Sequence, residues 1–167
     1  MKTHRHTFLA KMLSLLLLAS FPSSAQAANH SSFVGHYTTA SLSAQEQTAG
    51  NLLNSDRSTY ALPALTLDPE LCRIARIKSE DMRDNQYFSH TSPTYGDVRD
   101  MLDHFSYRRS AAGENIAHHA TIEKAQAALI SSPGHRRNIL SSAYTKFGVG
   151  IAFDKNGYVY LTQIFCR

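Results

Sequence analysis

The chain has no tryptophan, only two cysteines in 167 residues, and no long apolar run after its first 30 positions. A membrane-spanning helix needs about 20 consecutive apolar residues, so no downstream segment reads as a span. Two cysteines are too few for a disulfide-dense scaffold, and Cys72 and Cys166 lie too far apart for a zinc site of the CxxC kind. Charge of one sign is scarce as well. Lys2, Arg5 and Lys11 account for three of the 17 Lys and Arg, and the same segment holds none of the 13 acids, which leaves 14 bases against 13 acids beyond residue 27. With basic pairs only at Arg108–Arg109 and Arg136–Arg137, the electrostatic footprint of a nucleic-acid binder is missing.

What is present begins with an address. Lys2, Arg5 and Lys11 precede an apolar run from Met12 to Phe21, and Ala25 and Ala27 occupy the small-residue positions before a cleavage site. Residues 1–27 therefore read as a secretory signal peptide, leaving one exported domain of ordinary size, with no membrane span after the signal is removed. No Cys near the cleavage site offers a lipid attachment point. In an oxidising compartment, Cys72 and Cys166 read as a disulfide, the alternative being two separately buried thiols.

Residues 28–42 are polar and aperiodic, a flexible arm before a domain at 43–167. Ser43 with Glu46 makes a capping-box spacing and opens a helix to about Tyr60. Asp68-Pro69 opens a second helix to about Asn85, with Leu71, Ile74, Ala75 and Met82 on one face. A short helix is expected from Asp97 to Phe105, a short strand within AAGENIAHH, a helix after the cap Thr121, and another from Pro133 with Ser132 as its cap. The tail alternates apolar and polar residues on both sides of Asn156-Gly157, a strong hairpin signal. Helices plus a small antiparallel sheet formed late in the chain give an α+β fold, helices packed on sheet faces.

Three segments carry polar groups bracketed by small residues: FSHTSP with His90, AGENIA with Glu114, and SPGHRRNIL with His135. Two His and one Glu form the ligand set of open catalytic zinc sites, with the fourth position left to water. His135, in the first turn of its helix, meets the positive end of the helix dipole and is expected to be neutral. Asn115 reads as a loop-bonding residue, His118 and His119 as solvated loop histidines, and Arg136 and Arg137 as a solvated face. Tyr87, Phe88, Tyr144, Phe147, Tyr158 and Tyr160 read as core and sheet-face aromatics rather than a ligand platform.

Taken in order, SEDMRDNQYFSHTSPTYG, AAGENIA, SSPGHRRNIL and YTKFGVGIAFDKNGYVYLTQIF resemble the CAP domain, named for cysteine-rich secretory proteins, antigen 5 and pathogenesis-related 1 proteins, in its bacterial SCP-like branch. The likeness runs from about Leu42 to Phe165. It implies an α-β-α sandwich with a cleft lined by two His and two acids, His90 and His135 in the histidine places and Glu114 in one acidic place. The second acid closes a W-x-x-E segment in animal and plant members; here that run is Leu129-Ile130-Ser131-Ser132, and Asp97 or Asp100 is the only stand-in nearby. The resemblance implies a secreted or envelope-associated monomer, a binding or interaction module for a lipid, cell-wall or protein ligand, with a cleft capable of holding a divalent metal, zinc first, on His90, His135 and Glu114. The competing expectation is a metal-dependent hydrolase using the same three residues, with Ser92 or a metal-bound water as nucleophile.

Overall fold

The computed structural model describes residues 41–167; the expected signal peptide at 1–27 and all but the last two residues of the expected arm lie outside them. Local signals start nearly every element. Helix α1 (Ala44–Thr59) opens on the complete Ser43–Glu46 capping box. Helix α2 (Pro69–Asp84) follows Asp68, whose carboxylate accepts from the amides of Glu70 and Leu71. A two-residue strand, β1 (Thr66–Leu67), lies between them. Asp97 caps the short α3 (Val98–His104), and Thr121 caps α4 (Ile122–Ser131). The segment that reads as a short strand is the eight-residue β2 (Ala112–His119). Helix α5 (Pro133–Ile139) precedes the hairpin of β3 (Lys146–Phe153) and β4 (Val159–Cys166), which turns through Gly157 at φ +80°. Among the described residues no helix is long and apolar enough to cross a membrane.

The four strands form one sheet in the order β1-β3-β4-β2, antiparallel except for β1 against β3. Alternation along the strands divides two cores. Phe147, Val149, Leu161 and Phe165 pack with Ala49 and Leu53 of α1, Ala125 and Leu129 of α4, and Ile139 of α5. On the opposite face Ile164 and Cys166 pack with Leu71, Ile74 and Ala75 of α2 and Met101 and Leu102 of α3. The architecture is the expected α-β-α sandwich. Arg57, fully buried, ties the first layer together by donating to the carbonyls of Ile139 at 2.6 Å and Ser141 at 3.0 Å, so α1 caps the end of α5.

Helix α2 touches the sheet backbone to backbone. A Cβ on Gly150 would sit 2.0 Å from the Ala75 carbonyl carbon and the Arg76 nitrogen, and one on Gly148 would sit 2.1 Å from the Leu71 carbonyl carbon. The Ser79 hydroxyl fastens the contact, 3.0 Å from the Gly150 carbonyl and 2.9 Å from the Thr162 hydroxyl.

Three expectations are corrected. Cys72 and Cys166 are free, buried thiols rather than a disulfide. The amide of Val149 donates to Cys72 Sγ at 3.3 Å, and Val149 faces Gln163 across the hairpin, three residues from Cys166. At about 3.3 Å per residue that is roughly 10 Å of strand, too far for a bridge. Burial pushes the Cys72 thiol up to about 12 and the Cys166 thiol up to about 11. Ser132 makes no side-chain cap on α5: it is the joint between two helices, its amide ending α4 and its carbonyl starting α5. Phe88 and Tyr158 are not core residues, being 51% and 46% exposed.

Gly150→Ala is expected to cost about 3 kcal/mol in denaturant unfolding, because both nearest atoms are backbone and must move. Gly134→Ala, with open space around it, is expected to be neutral or to stabilise by up to about 1 kcal/mol. Equal losses for the two would remove the close-contact argument. Both thiols are expected to resist an aromatic disulfide reagent in the native protein and to react, two per chain, on unfolding. Fewer than two would restore the bridge.

Candidate functional site: a histidine–glutamate pair at the sheet edge

The edge strand β2 receives residues from both helical layers. Glu114 projects to the α2 side and Asn115 to the α5 side, as successive residues of a strand must. His90 reaches Glu114 from the segment after α2, with Nδ1 2.7 Å from Oε1. Glu114 is buried, while the His90 side chain is 57% exposed. With Nδ1 committed to the carboxylate, Nε2 is the nitrogen left to face a ligand.

The His90 segment is held by two buried charges of α2. Asp81 accepts from Asn85 at 2.7 Å, Ser92 at 2.7 Å, Thr94 at 2.8 Å and the Tyr87 hydroxyl. Burial pushes its carboxyl up, but the four hydrogen bonds prevail and hold it below the usual carboxylate range. Lys78, 1% exposed, donates to the His90 carbonyl at 3.0 Å and lies 3.3 Å from the Tyr87 hydroxyl. Burial lowers its pKa, and the charges of Glu114 and Asp81 oppose that shift. Neither residue stands out by motif. The available signal is periodicity: Lys78 falls four residues after Ile74 and four before Met82, a charge on an apolar helical stripe.

From the other layer, α5 docks on β2 through side-chain amides. Asn115 donates to the His135 carbonyl at 3.1 Å, and Asn138 donates to the Glu114 carbonyl at 3.1 Å and to Asn115 Oδ1 at 2.9 Å. The amides continue inward, Asn115 to Gln163 at 3.1 Å, Gln163 to Gln126 at 2.6 Å, and Gln126 to the carboxylate of Asp56 at 2.7 Å. Each donates toward α1, so the bonds polarise one another in one direction. Asn115 thus holds the site as well as the loop backbone. Gly113 lies close beneath the Tyr144 side chain, whose hydroxyl would have to shift to admit a Cβ there.

The structure therefore pairs His90 with Glu114 directly and brings His135 alongside through Asn115. Glu114 Oε2 and His135 Nδ1 are buried, and neither has a hydrogen-bond partner. Burial, then the nearby His90 charge, lowers the His135 pKa, in the direction expected for this ring. Among the described residues no three His, Cys, Asp or Glu side chains converge as a metal-ligating group. The stand-ins for the second acid are committed elsewhere: Asp97 and Asp100 bond each other's backbone amides in the α3 capping box. Ser92 is buried, donating to Asp81 and accepting from the amides of Thr94 and Tyr95 at 2.9 Å, which leaves it structural. A depression of about 370 Å³ lined by Arg99, Asp103, Arg109, Ser110, Ala111 and Ala112 touches none of the three site residues.

Residues 51–165 match the family model described as CAP, cysteine-rich secretory protein family. The uncharacterized protein YkwD of Bacillus subtilis (strain 168) is 41% identical over 124 residues, covering 74% of this chain and 48% of that protein. The uncharacterized membrane protein YlbC of the same strain is 37% identical over 122 residues, covering 70% of this chain and 33% of that protein. A crystal structure of an extracellular protein containing a SCP domain from Bacillus anthracis str. Ames superposes with a TM-score of 0.65 at 37% identity, covering 74% of this chain and 40% of that one. The chain spans less than half the length of each.

The two histidines are expected to titrate on opposite sides of the ordinary value of 6.5. The Glu114 hydrogen bond raises His90, so its contribution to stability is full below 6.5 and is lost as pH rises through its folded pKa. Buried His135 is lowered, so stability is lost as pH falls from 6.5 through its folded pKa. NMR titration of the ring protons checks both. In Glu114→Gln the His90 pKa is expected to fall back toward 6.5; an unchanged value would break the pairing.

Proposed function

The chain belongs to the CAP family, the cysteine-rich secretory protein family, and on that premise we propose that it is an exported binding module whose cleft holds a divalent cation between His90 and His135. One observation carries the reading: two buried polar atoms, Glu114 Oε2 and His135 Nδ1, lie unpaired beside a histidine that a carboxylate already orients. Buried polar atoms in a folded protein ordinarily have partners, so an orphaned pair in a functional cleft points to an occupant. Imidazole donors suit zinc better than calcium or magnesium. Glu114 serves as the orienting group behind His90, the arrangement that fixes metal-binding histidines generally. With no three-residue ligand group assembled, the remaining coordination positions fall to water and to the ligand that the module captures.

Export is supported by the segment at 1–27 and by the extracellular relative from Bacillus anthracis. The captured ligand belongs to the lipid, cell-wall or protein classes. Binding is preferred to hydrolysis because, of the candidate groups, Ser92 is tied up by Asp81 and the amides of Thr94 and Tyr95, and Asp97 and Asp100 are committed to the α3 cap. The Glu114–His90 pair is the one feature that favours a hydrolase, since an imidazole held by a carboxylate is a competent general base. A bound divalent cation would supply Lewis-acid polarisation in that case.

Calorimetric titration with zinc is expected to show one site per chain, weakened at least tenfold by His90→Ala and by His135→Ala, with circular dichroism unchanged. Absence of binding to the unsubstituted protein would remove the cation from the function. Peptide or cell-wall cleavage that disappears in Glu114→Gln would replace the module with the hydrolase.

A further inference from the structure

The cap that Arg57 makes on α5 leaves part of its guanidinium unused. The residue is 1% exposed; Nε donates to the Pro63 carbonyl at 2.9 Å, and Nη1 donates to the carbonyls of Ile139 and Ser141. Nη2 is left without a partner among the described residues and, unlike Glu114 Oε2 and His135 Nδ1, is not sealed from solvent. Carbonyls satisfy N–H groups without supplying a counter-charge, and buried charges in folded proteins are ordinarily paired. Among the described residues no carboxylate forms an ion pair with Arg57. The neighbouring Asp56 accepts from Gln126 instead. Burial lowers the Arg57 pKa, and no acid opposes that shift. The side chain lines a hollow of about 240 Å³ between the end of α1, the connector 62–65 and the segment 142–145, with Leu62, Pro63, Leu65 and Tyr144 in its wall. That wall is fixed in place: Asn54 accepts from the Leu65 amide at 2.9 Å and donates to the Leu65 carbonyl at 3.0 Å, and the Thr66 amide donates to the Thr145 carbonyl at 3.0 Å. None of His90, Glu114 and His135 lines it.

We propose that this hollow binds a small organic monocarboxylate, its carboxylate on the Arg57 guanidinium and its apolar body against Leu62, Pro63 and Leu65. Arginine pairs with carboxylates through short, charge-assisted N–H···O bonds, which are stronger than those it makes to carbonyls. Arg57 is the only basic residue of the lining, so a dianion such as phosphate would bring one charge more than the site offsets. A neutral or wholly apolar occupant would leave the guanidinium without a counter-charge and shield Nη2 from the water that now reaches it. An apolar wall with one placed charge is the ordinary make-up of a small-molecule site, and a volume below the usual ~300–1,000 Å³ of such sites restricts the occupant to a short body. Because the connector is held by Asn54, the wall is shaped before the ligand arrives. The site does not depend on the cation reading.

NMR titration with benzoate tests this, with benzamide as an uncharged probe of the same shape and inorganic phosphate as an anion without an apolar body. Benzoate is expected to shift the Arg57 guanidinium, Leu62 and Leu65 resonances, and benzamide and phosphate are expected to bind at least tenfold more weakly. Truncating Arg57 would strip three carbonyls of their donor, so the variants are placed at Ala64, an exposed residue of the lining. Ala64→Glu supplies an internal carboxylate and is expected to weaken benzoate binding at least tenfold. Ala64→Gln, of nearly the same size, is expected to leave it within about twofold. No benzoate shifts at these residues would overturn the proposal. Benzamide or phosphate binding as tightly as benzoate, or equal losses in the two Ala64 variants, would overturn it as well, since charge pairing with Arg57 would then not be what holds the ligand.

Discussion

Helix α2 lies directly on β3, with only the hydrogens of Gly148 and Gly150 between the two backbones. That contact decides the position of everything α2 carries. Because the helix cannot move closer, slide over a side chain or tilt away from the Ser79 bonds, Lys78 and Asp81 arrive at a fixed depth beneath the segment that follows. Asp81 then collects four donors from residues 85–94 and turns a chain without regular structure into a defined support for His90. A charge so thoroughly satisfied is affordable in the interior; one donor fewer would leave a buried carboxylate underbonded.

The second requirement is an edge strand in the right register. Glu114 faces His90 and Asn115 faces α5 only because β2 pairs Glu114 with Ile164 and Asn115 with Gln163. A slip of one residue would exchange the two sides and take the carboxylate away from the cleft. The Asn115–Gln163 amide bond, made between directly opposed side chains in the interior, penalises that slip. From there the amides run through Gln126 to Asp56, so the α1–α4–α5 layer is joined to the site by hydrogen bonds as well as by apolar packing. The outer edge of β2 is protected too, with the Glu114 carbonyl taken by Asn138.

The parts of this arrangement visible in the sequence are the local ones. Ser43 with Glu46, Asp68 before Pro69, Asp97, Thr121 and Asn156-Gly157 act within a few residues of themselves, and each starts or turns the element expected of it. The helix ends were less legible. After α1, α2 and α3 the left-handed turn is made by Ala61, Gln86 and Ser106 rather than by glycine. Strand β2 was only partly legible because Gly113, Asn115, His118 and His119 are weak strand formers, and pairing with β4 overrides them. The cysteine reading failed for a non-local reason: spacing along the chain says nothing about which thiol the hairpin register places beside which. Lys78, Asp81 and the Gln163–Gln126 pair carry no motif and gain meaning only when the fold buries them together. His90, Glu114 and His135 were legible as candidates, whereas their unequal roles, an oriented ring, its orienter and a buried neutral ring, follow from geometry.

The same geometry limits the charge that the cleft can offer a ligand. Where a second acid would stand, Ser132 links two helices through its backbone, and the neighbouring acids Asp97 and Asp100 are used in a cap. Asp81 has no spare acceptor strength, and the Lys78 ammonium sits beneath Glu114 as a countercharge. Among the described residues, the carboxylate paired with His90 is that of Glu114, one oxygen bonded to the ring and the other without a hydrogen-bond partner. Hard cations such as calcium are held by several carboxylate and carbonyl oxygens at once, and this cleft does not assemble them. A borderline cation that accepts neutral imidazole nitrogen is the kind the remaining donors can hold. On the proposed cation-binding reading, these few donors leave the remaining coordination positions to water and to the captured ligand.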